Sequence, residues 1–191
     1  DGQPLTAHDF VWAWRRNLLP ALASQYGYMM HDIKNAAAIN QGGLSTVDEE
    51  TPLRRNPADD AEVITTLKKG ARFDLVPQKG PKPKRGEPPP EYDFVSVKPL
   101  EGWIPAASHR PAWEALGVYA VDDHTLKVEL ERPIPFFLEL TQFTTLAPIR
   151  EDVVVKWATP LEREQAARQK KPYLLWVSSA WWRPGRIVTN G

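Results

Sequence analysis

The opening segment of the chain has the hydrophobic period of an α-helix. Apolar side chains recur at helical spacing at Phe10, Val11, Trp14 and Leu18. Thr6 and Asp9 have the spacing of a capping box, in which two side chains satisfy free backbone N–H groups at the start of a helix. The pattern therefore predicts an amphipathic helix over residues 7–18, which ends before Pro20 and has Trp14 on its apolar face.

Around Gly42-Gly43 the pattern changes from helical spacing to alternation. Residues 21–30 and 31–40, before this point, predict one or two further helices. Residues 62–76 predict two strands around a Lys69-Gly70 turn, and residues 92–98 alternate again. The middle of the chain is therefore expected to be β-structure.

A second alternating stretch predicts a β-hairpin farther along the chain. Its strands are expected over residues 118–121 and 125–131, with Asp122-Asp123 at the turn. Alternation places Leu126, Val128 and Leu130 on one side of the second strand. Residues 135–143 are predicted as a short helix and residues 160–171 as a helix that is largely exposed to solvent. Residues 173–177 are an apolar run that fits either a helix or a strand.

Residues 77–91 combine six prolines with four basic side chains. Because proline lacks the backbone N–H donor, this composition predicts a loop. Prolines and charges bury little apolar surface, so we expect this loop to be the most mobile part of the chain. The alternative interpretation is a ligand for a proline-recognising domain or for an acidic surface.

Charge and composition exclude several classes of protein. The 24 acidic and 24 basic residues cancel, which argues against a general binder of nucleic acid or of anionic membranes. The chain has no cysteine, so disulfides and thiolate chemistry are excluded. No apolar run approaches the roughly 20 residues that a membrane-spanning helix needs.

The residue pattern offers no catalytic or metal-binding constellation. The four histidines stand far apart in sequence, without the spacing of a metal-binding motif. The adjacent Asp122 and Asp123 fit the geometry of a hairpin turn. Ser178-Ser179 lacks the strand–turn–helix context of a hydrolase nucleophile. We therefore expect no enzyme activity, no metal and no cofactor.

Five strings of residues, in order along the chain, carry a resemblance to a known family. They are Asp1–Arg16, Ile33–Ala36, Leu116–Leu126, Pro135–Phe137 and Arg183–Gly191. Together they resemble the extracytoplasmic oligopeptide- and dipeptide-binding proteins of ABC transporters. Because these receptors are much longer, the resemblance also implies that the chain is a fragment.

The resemblance implies an α+β fold and a divided domain. Residues 1–46 and 111–191 are expected to form a discontinuous, incomplete helix–hairpin lobe of a periplasmic-binding-protein-like receptor. Tyr26 falls where the family places a tyrosine near its peptide cleft, although a partly buried packing tyrosine is the alternative interpretation. Asn190 and Gly191 match a turn on the route between the lobes. Six tryptophans form either an aromatic platform or core and lining: Trp12, Trp14, Trp157, Trp176, Trp181 and Trp182.

Residues 47–110 interrupt the receptor pattern. Their Leu-Lys-Lys-Gly turn and the later Gly102-Trp103-Ile104 resemble a bacterial SH3-like barrel, which implies a small five-stranded insert. Tyr92, Phe94 and Trp103 either line an aromatic groove for a peptide or fill the small core of this insert.

The resemblance implies that the whole protein captures oligopeptides and passes them to the permease of an ABC transporter. Its expected location is extracytoplasmic, in the periplasm or anchored at the cell surface. No nucleic acid is expected as a partner. The rival hypothesis is an interaction module, in which the SH3-like insert binds a protein or a cell-wall peptide.

Overall fold

The computed structural model describes residues 4–20, 24–76, 79–80, 91–152 and 154. By their packing the residues divide into two compact units. The first unit contains the residues up to Lys34 and those from Gly117 onward, and the second is Asn35–Leu116.

The described residues form short helices and antiparallel strands. The α-helices are α1 (Ala7–Asn17), α2 (Ala36–Asn40) and α3 (Phe137–Leu140). The strands are β1 (Ser45–Val47), β2 (Thr51–Arg54), β3 (Val63–Leu67), β4 (Arg72–Leu75), β5 (Tyr92–Val97), β6 (Leu100–Pro105), β7 (His109–Pro111), β8 (Val118–Asp122) and β9 (Thr125–Val128). Short 3₁₀ turns lie at Gly27–Met30, Ala106–Ser108, Trp113–Ala115 and Thr144–Leu146.

Helix α1 confirms the prediction made from its hydrophobic period. The backbone N–H of Thr6 donates to the Asp9 carboxylate at 2.8 Å, as a capping box requires. Trp14 is 2% exposed, and its indole Nε1–H donates to the Leu146 carbonyl oxygen at 2.8 Å. Trp14 is therefore a core residue of the first unit.

The predicted hairpin is also confirmed, with a shorter second strand. Strands β8 and β9 pair antiparallel, with Val118 opposite Val128. Leu126 and Val128 are half-buried and Lys127 between them is exposed, which agrees with the predicted alternation. Beyond the end of β9, Leu130 forms an isolated bridge with Ile33.

The other helical segments are shorter in the structure than the sequence predicted. Of residues 21–30, the described ones contain a single 3₁₀ turn at Gly27–Met30. Helix α2 is one turn long: it begins after the left-handed Asn35, with φ 62°, and is followed by the left-handed Gly42, with φ 82°. Helix α3 occupies four residues of the predicted 135–143. The segments 160–171 and 173–177 lie outside the described residues.

The second unit is built on a seven-stranded antiparallel sheet with the order β3-β2-β6-β5-β4-β1-β7. One face of the sheet carries a cluster of buried apolar residues: Val47, Leu53, Leu67, Phe73, Val95 and Ile104. The two outermost strands, β3 and β7, are not paired with each other. Among the described residues the sheet is therefore open, and the expected closed five-stranded SH3-like barrel is not observed.

Two features separate this sheet from the expected barrel. The three-residue strands β1 and β7 extend it at one end, with Ser45 opposite Pro111. Strands β3 and β4 form on either side of the predicted Lys69-Gly70 turn, but β3 pairs with β2 while β4 pairs with β1 and β5. The alternating pattern predicted where these strands lie in the sequence, but it did not predict which strands pair with each other in the sheet.

Candidate functional site

Tyr26 stands at the start of a tight turn whose inner side is buried. The Tyr26 carbonyl accepts a hydrogen bond from the Met29 N–H at 3.1 Å, which begins the 3₁₀ turn Gly27–Met30. Met30 is fully buried and Gly27 is buried as well. The Ser24 hydroxyl donates to the Asn17 side chain, which fixes the approach to the turn from α1. The backbone that carries Tyr26 is therefore held from both sides.

The turn presents two tyrosine rings to solvent. Tyr26 is 54% exposed and Tyr28 is 61% exposed. Their ring centres lie 6.5 Å apart and the ring planes are tilted by 42°. Within the described residues, neither hydroxyl has a hydrogen-bond partner. Tyr26 is thus exposed in this chain, and its contact with a ligand stays a prediction. Tyr28 was not predicted, because nothing in the local pattern distinguishes an exposed tyrosine from a packed one.

The second candidate surface is an aromatic pair on the sheet of the second unit. Phe94 and Trp103 stand opposite each other in β5 and β6, with ring centres 5.1 Å apart and planes at 82°. Their neighbours Val95 and Ile104 belong to the buried cluster. Because side chains alternate across a strand, the aromatic pair lies on the opposite face from that cluster. Both rings are half-buried.

The polar groups around Phe94 and Trp103 already interact with other residues of the chain. The Tyr92 hydroxyl donates to the Asp59 carboxylate, and this hydrogen bond raises the pKa of Tyr92. Tyr92 is itself buried, so it acts as an anchor for the sheet. The Lys79 ammonium lies 5.0 Å from the centre of the Phe94 ring and forms an ion pair with Glu101. The role of Tyr92, Phe94 and Trp103 as a ligand groove stays a prediction.

The sheet also contains a buried polar pair that the sequence did not reveal. His109 is buried, and its Nε2 lies 2.8 Å from an Asp93 carboxylate oxygen. The edge of the Phe73 ring packs on the imidazole, with ring centres 5.8 Å apart. Within the described residues no group of three or more His, Cys, Asp or Glu side chains could hold a metal ion. This pair therefore supplies hydrogen bonding inside the sheet.

Several predicted residues lie outside the part of the chain that the structure describes. They are the interlobe turn residues Asn190 and Gly191 and the four later tryptophans Trp157, Trp176, Trp181 and Trp182. Trp12, which is described, is half-buried, with the Arg16 guanidinium 5.7 Å from its ring centre. Most of the proline-rich segment 77–91 is likewise outside the described residues.

Comparison with known protein families identifies the class of the chain. Residues 1–175 match the family described as "Bacterial extracellular solute-binding proteins, family 5 Middle". The chain belongs to this family, and the resemblance found in the sequence is confirmed.

The relatives of the chain are named for different ligands. It is 30% identical over 156 residues to the oligopeptide-binding protein OppA of Bacillus subtilis, covering 82% of this chain and 16% of that protein. It is 25% identical over 191 residues to the periplasmic oligopeptide-binding protein OppA of Escherichia coli, covering 100% of this chain and 20% of the relative. A probable deoxycholate-binding periplasmic protein, YgiS of Escherichia coli, is 28% identical over 166 residues, covering 84% of this chain and 18% of the relative. The chain thus spans at most about a fifth of the length of these relatives.

Two solved structures also align with the chain. A substrate-binding domain of an oligopeptide ABC transporter from Bacillus anthracis aligns with a TM-score of 0.45 and 26% identity, covering 86% of this chain and 19% of that one. OppA of Burkholderia pseudomallei aligns with a TM-score of 0.48 and 23% identity, covering 97% of this chain and 20% of the other. In the described part of this chain, no helix is long and apolar enough to cross a membrane.

Proposed function

We propose that the chain is part of an extracytoplasmic receptor that captures oligopeptides and delivers them to the permease of an ABC transporter. The observation that carries the proposal is the family match over residues 1–175. The Bacillus and Escherichia relatives named as oligopeptide-binding proteins support oligopeptides as the ligand class. The protein is proposed to bind its ligand without transforming it, and the absence of a predicted catalytic constellation agrees with this role.

Tyr26 is the residue that we assign to ligand contact. Its ring and its unpartnered hydroxyl are both on the surface of the described residues. A tyrosine offers a flat apolar face and a hydroxyl that can bond a peptide backbone, so it suits a ligand whose backbone is constant and whose side chains vary. In the full-length receptor, we expect Tyr26→Ala to weaken peptide binding moderately and to leave the fold intact.

The rival hypothesis of an SH3-like interaction module has no support from the related proteins. The open sheet removes the structural likeness on which that hypothesis rested. We therefore do not propose a second function for residues 47–110.

The full-length protein that contains this chain provides the test. It would be purified without added ligand, and molecules that co-purify would be identified by native mass spectrometry. Calorimetry with a small library of peptides would follow, with deoxycholate as the comparison ligand because one relative carries that name. Co-purifying peptides and saturable peptide binding are expected. Deoxycholate binding with no peptide binding would overturn the proposal.

The isolated 191-residue chain should bind peptides weakly or not at all. One lobe leaves half of the hydrogen-bonding groups of a peptide facing water, where each net bond contributes only about 1 kcal/mol. Micromolar or tighter binding by the isolated chain in calorimetry would contradict the requirement for enclosure between two lobes.

A further inference from the structure

The 3₁₀ turn that carries Tyr26 presents a second ring that has no assigned role. Tyr28 is the more exposed of the two tyrosines, at 61%. Its carbonyl accepts a hydrogen bond from the His31 N–H at 3.0 Å, so its backbone is part of the turn. Met30, two residues on, is fully buried and anchors the turn in the first unit. Tyr28 is therefore held in position by its backbone while its side chain stays in solvent.

Tyr26 and Tyr28 are adjacent aromatic side chains that are both exposed to solvent. A fully exposed aromatic ring forgoes the burial that makes such residues the main contributors to cores and interfaces. A single exposed apolar residue needs no explanation, whereas a contiguous exposed apolar surface marks a binding site more often. Tyr26 and Tyr28 are contiguous, because their ring centres are 6.5 Å apart.

The geometry of the two rings limits what they can bind together. Stacked aromatic carbons approach to about 3.5–4.0 Å, so a ring placed between two parallel rings needs about 7–8 Å between their planes. The observed separation of 6.5 Å and tilt of 42° exclude such a sandwich. A ligand side chain that contacts both rings must instead lie across the open side of the pair.

The chemistry of the pair is apolar with hydroxyl groups at its edge. Within the described residues, no ion pair or cation–π contact involves Tyr26 or Tyr28. Neither ring is therefore already paired with a charged side chain among the described residues. The surface matches an apolar side chain, and best an aromatic one, whose flat face gains most from ring contact.

We propose that Tyr28 is a specificity-determining residue, which forms with Tyr26 an aromatic surface that favours peptides with an aromatic side chain over peptides with alanine at the same position. The proposal rests on the proposed peptide-binding function. It adds a residue and a preference that the family match does not supply.

The test uses the full-length protein and two peptides of equal length that differ at a central position, phenylalanine in one and alanine in the other. Calorimetry would compare the wild type with Tyr28→Ala and Tyr28→Phe. Phe143→Ala is the matched control, because Phe143 is 54% exposed and makes no ring contact with either tyrosine within the described residues. Thermal unfolding of each variant would check that the fold is kept, as expected for exposed side chains.

We expect Tyr28→Ala to weaken binding of the phenylalanine peptide about three- to tenfold and binding of the alanine peptide less than about twofold. Tyr28→Phe should retain the preference, since it keeps the ring, and Phe143→Ala should bind like the wild type. A wild type that binds both peptides equally would overturn the proposal, as would a Tyr28→Ala variant with unchanged or equally reduced affinities, or a Phe143→Ala variant with the same selective loss. A wild type that binds neither these nor any library peptide would overturn the proposed function itself.

Discussion

The backbone N–H of Gly117 donates a hydrogen bond to the carbonyl oxygen of Lys34 at 2.9 Å. Glu129 completes a ring of backbone bonds with these two residues. Its N–H donates to the Gly117 carbonyl at 2.7 Å, and its carbonyl accepts from the Lys34 N–H at 2.9 Å. The Lys34 ammonium also lies 3.1 Å from the Glu129 carboxylate. The ring joins Lys34 to the two ends of the β8–β9 hairpin, and Lys34 and Gly117 are the residues where the chain leaves and rejoins the first unit.

Residue 117 has no room for a side chain in this arrangement. A Cβ there would lie 2.5 Å from the Glu129 carbonyl oxygen and 2.8 Å from the Lys34 Cβ. Neither atom is the end of a flexible side chain, so the backbone itself must shift. We expect Gly117→Ala to lower the free energy of unfolding by about 1–3 kcal/mol, as overpacking of a tight site does. Urea denaturation followed by circular dichroism would measure it.

Gly70 is the matched control for this substitution, because its constraint is of the opposite kind. It has φ 81°, and a Cβ there would meet no atom within 4 Å. Gly70→Ala should therefore cost only the left-handed backbone strain, about 1–2 kcal/mol, and Gly70→Asn should recover part of it because asparagine tolerates this conformation. An unchanged unfolding free energy for Gly117→Ala would show that the close contact at Glu129 is absent in solution.

The Glu129 carboxylate makes the stability of the first unit depend on pH. The hydrogen bond from Lys34, with that from the Tyr119 hydroxyl at 2.9 Å, lowers the pKa of Glu129 below its ordinary value of 4.5. A depressed folded-state pKa means that the folded protein holds the proton less tightly than the unfolded chain. The resulting stabilisation is fully present above pH 4.5 and is lost as the pH falls through the folded-state pKa.

We therefore expect the free energy of unfolding to decrease with falling pH below about 4.5, and to decrease less steeply in Glu129→Gln. Urea titrations at a series of pH values between about 6 and 3 would measure both slopes. Glu139→Gln serves as the control because Glu139 has no ion pair among the described residues, so its slope should match the wild type. Equal slopes in wild type and Glu129→Gln would show that the Lys34 contact does not persist in solution.

Trp14 links α1 to the segment after α3 by packing and by one buried hydrogen bond. Replacing it by phenylalanine keeps most of the ring but leaves the Leu146 carbonyl without its indole donor. We expect Trp14→Phe to cost about 1–3 kcal/mol, because an unsatisfied buried acceptor loses its hydration without compensation. Trp12→Phe, at a half-buried position, should cost less. Denaturant unfolding of the two variants would decide, and equal costs would contradict a structural role for the indole N–H.

The sequence predicted those elements whose cause is local. The capping box of Thr6 and Asp9 lies within one turn of helix, and the β8–β9 hairpin follows from alternation around a two-aspartate turn. The predicted family also follows from short strings read in order, and it is confirmed. Tyr26 was singled out by this resemblance, and its contact with a ligand stays a prediction.

Elements that depend on distant residues could not be predicted. Strands β1 and β7 have three residues each and exist because Ser45 pairs with Pro111, a partner 66 positions away. The separation of β3 from β4 in the sheet is likewise a matter of long-range pairing, so the local resemblance to a barrel was misleading. The His109–Asp93 pair and the exposed ring of Tyr28 depend on which side of the fold each residue faces, and short patterns carry no such information.

Residues 48–110 are proposed to form a domain that can be removed without unfolding the segments around it. The residues on either side of the cut are held near each other, since Ser45 stands opposite Pro111 and the Ala112 N–H donates to the Leu44 carbonyl at 2.9 Å. Pro111 lies opposite Ser45, two residues before the new chain end at Val47, so a Gly-Ser linker of a few residues, each spanning up to about 3.3–3.6 Å, can join the two ends. The apolar cluster of the sheet also lies almost entirely within the excised residues.

We expect the chain with this linker to retain the amide protection of α1 and a cooperative unfolding transition, measured by hydrogen exchange and by urea denaturation. Ile104→Ala in the uncut chain is the complementary control. It should weaken the sheet by about 2–5 kcal/mol through the cavity it leaves, and the amides of α1 should stay protected if the sheet folds independently. Loss of α1 protection in either variant would mean that the sheet supports the flanking segments, and residues 48–110 would then be an integral layer of the fold instead of an inserted domain.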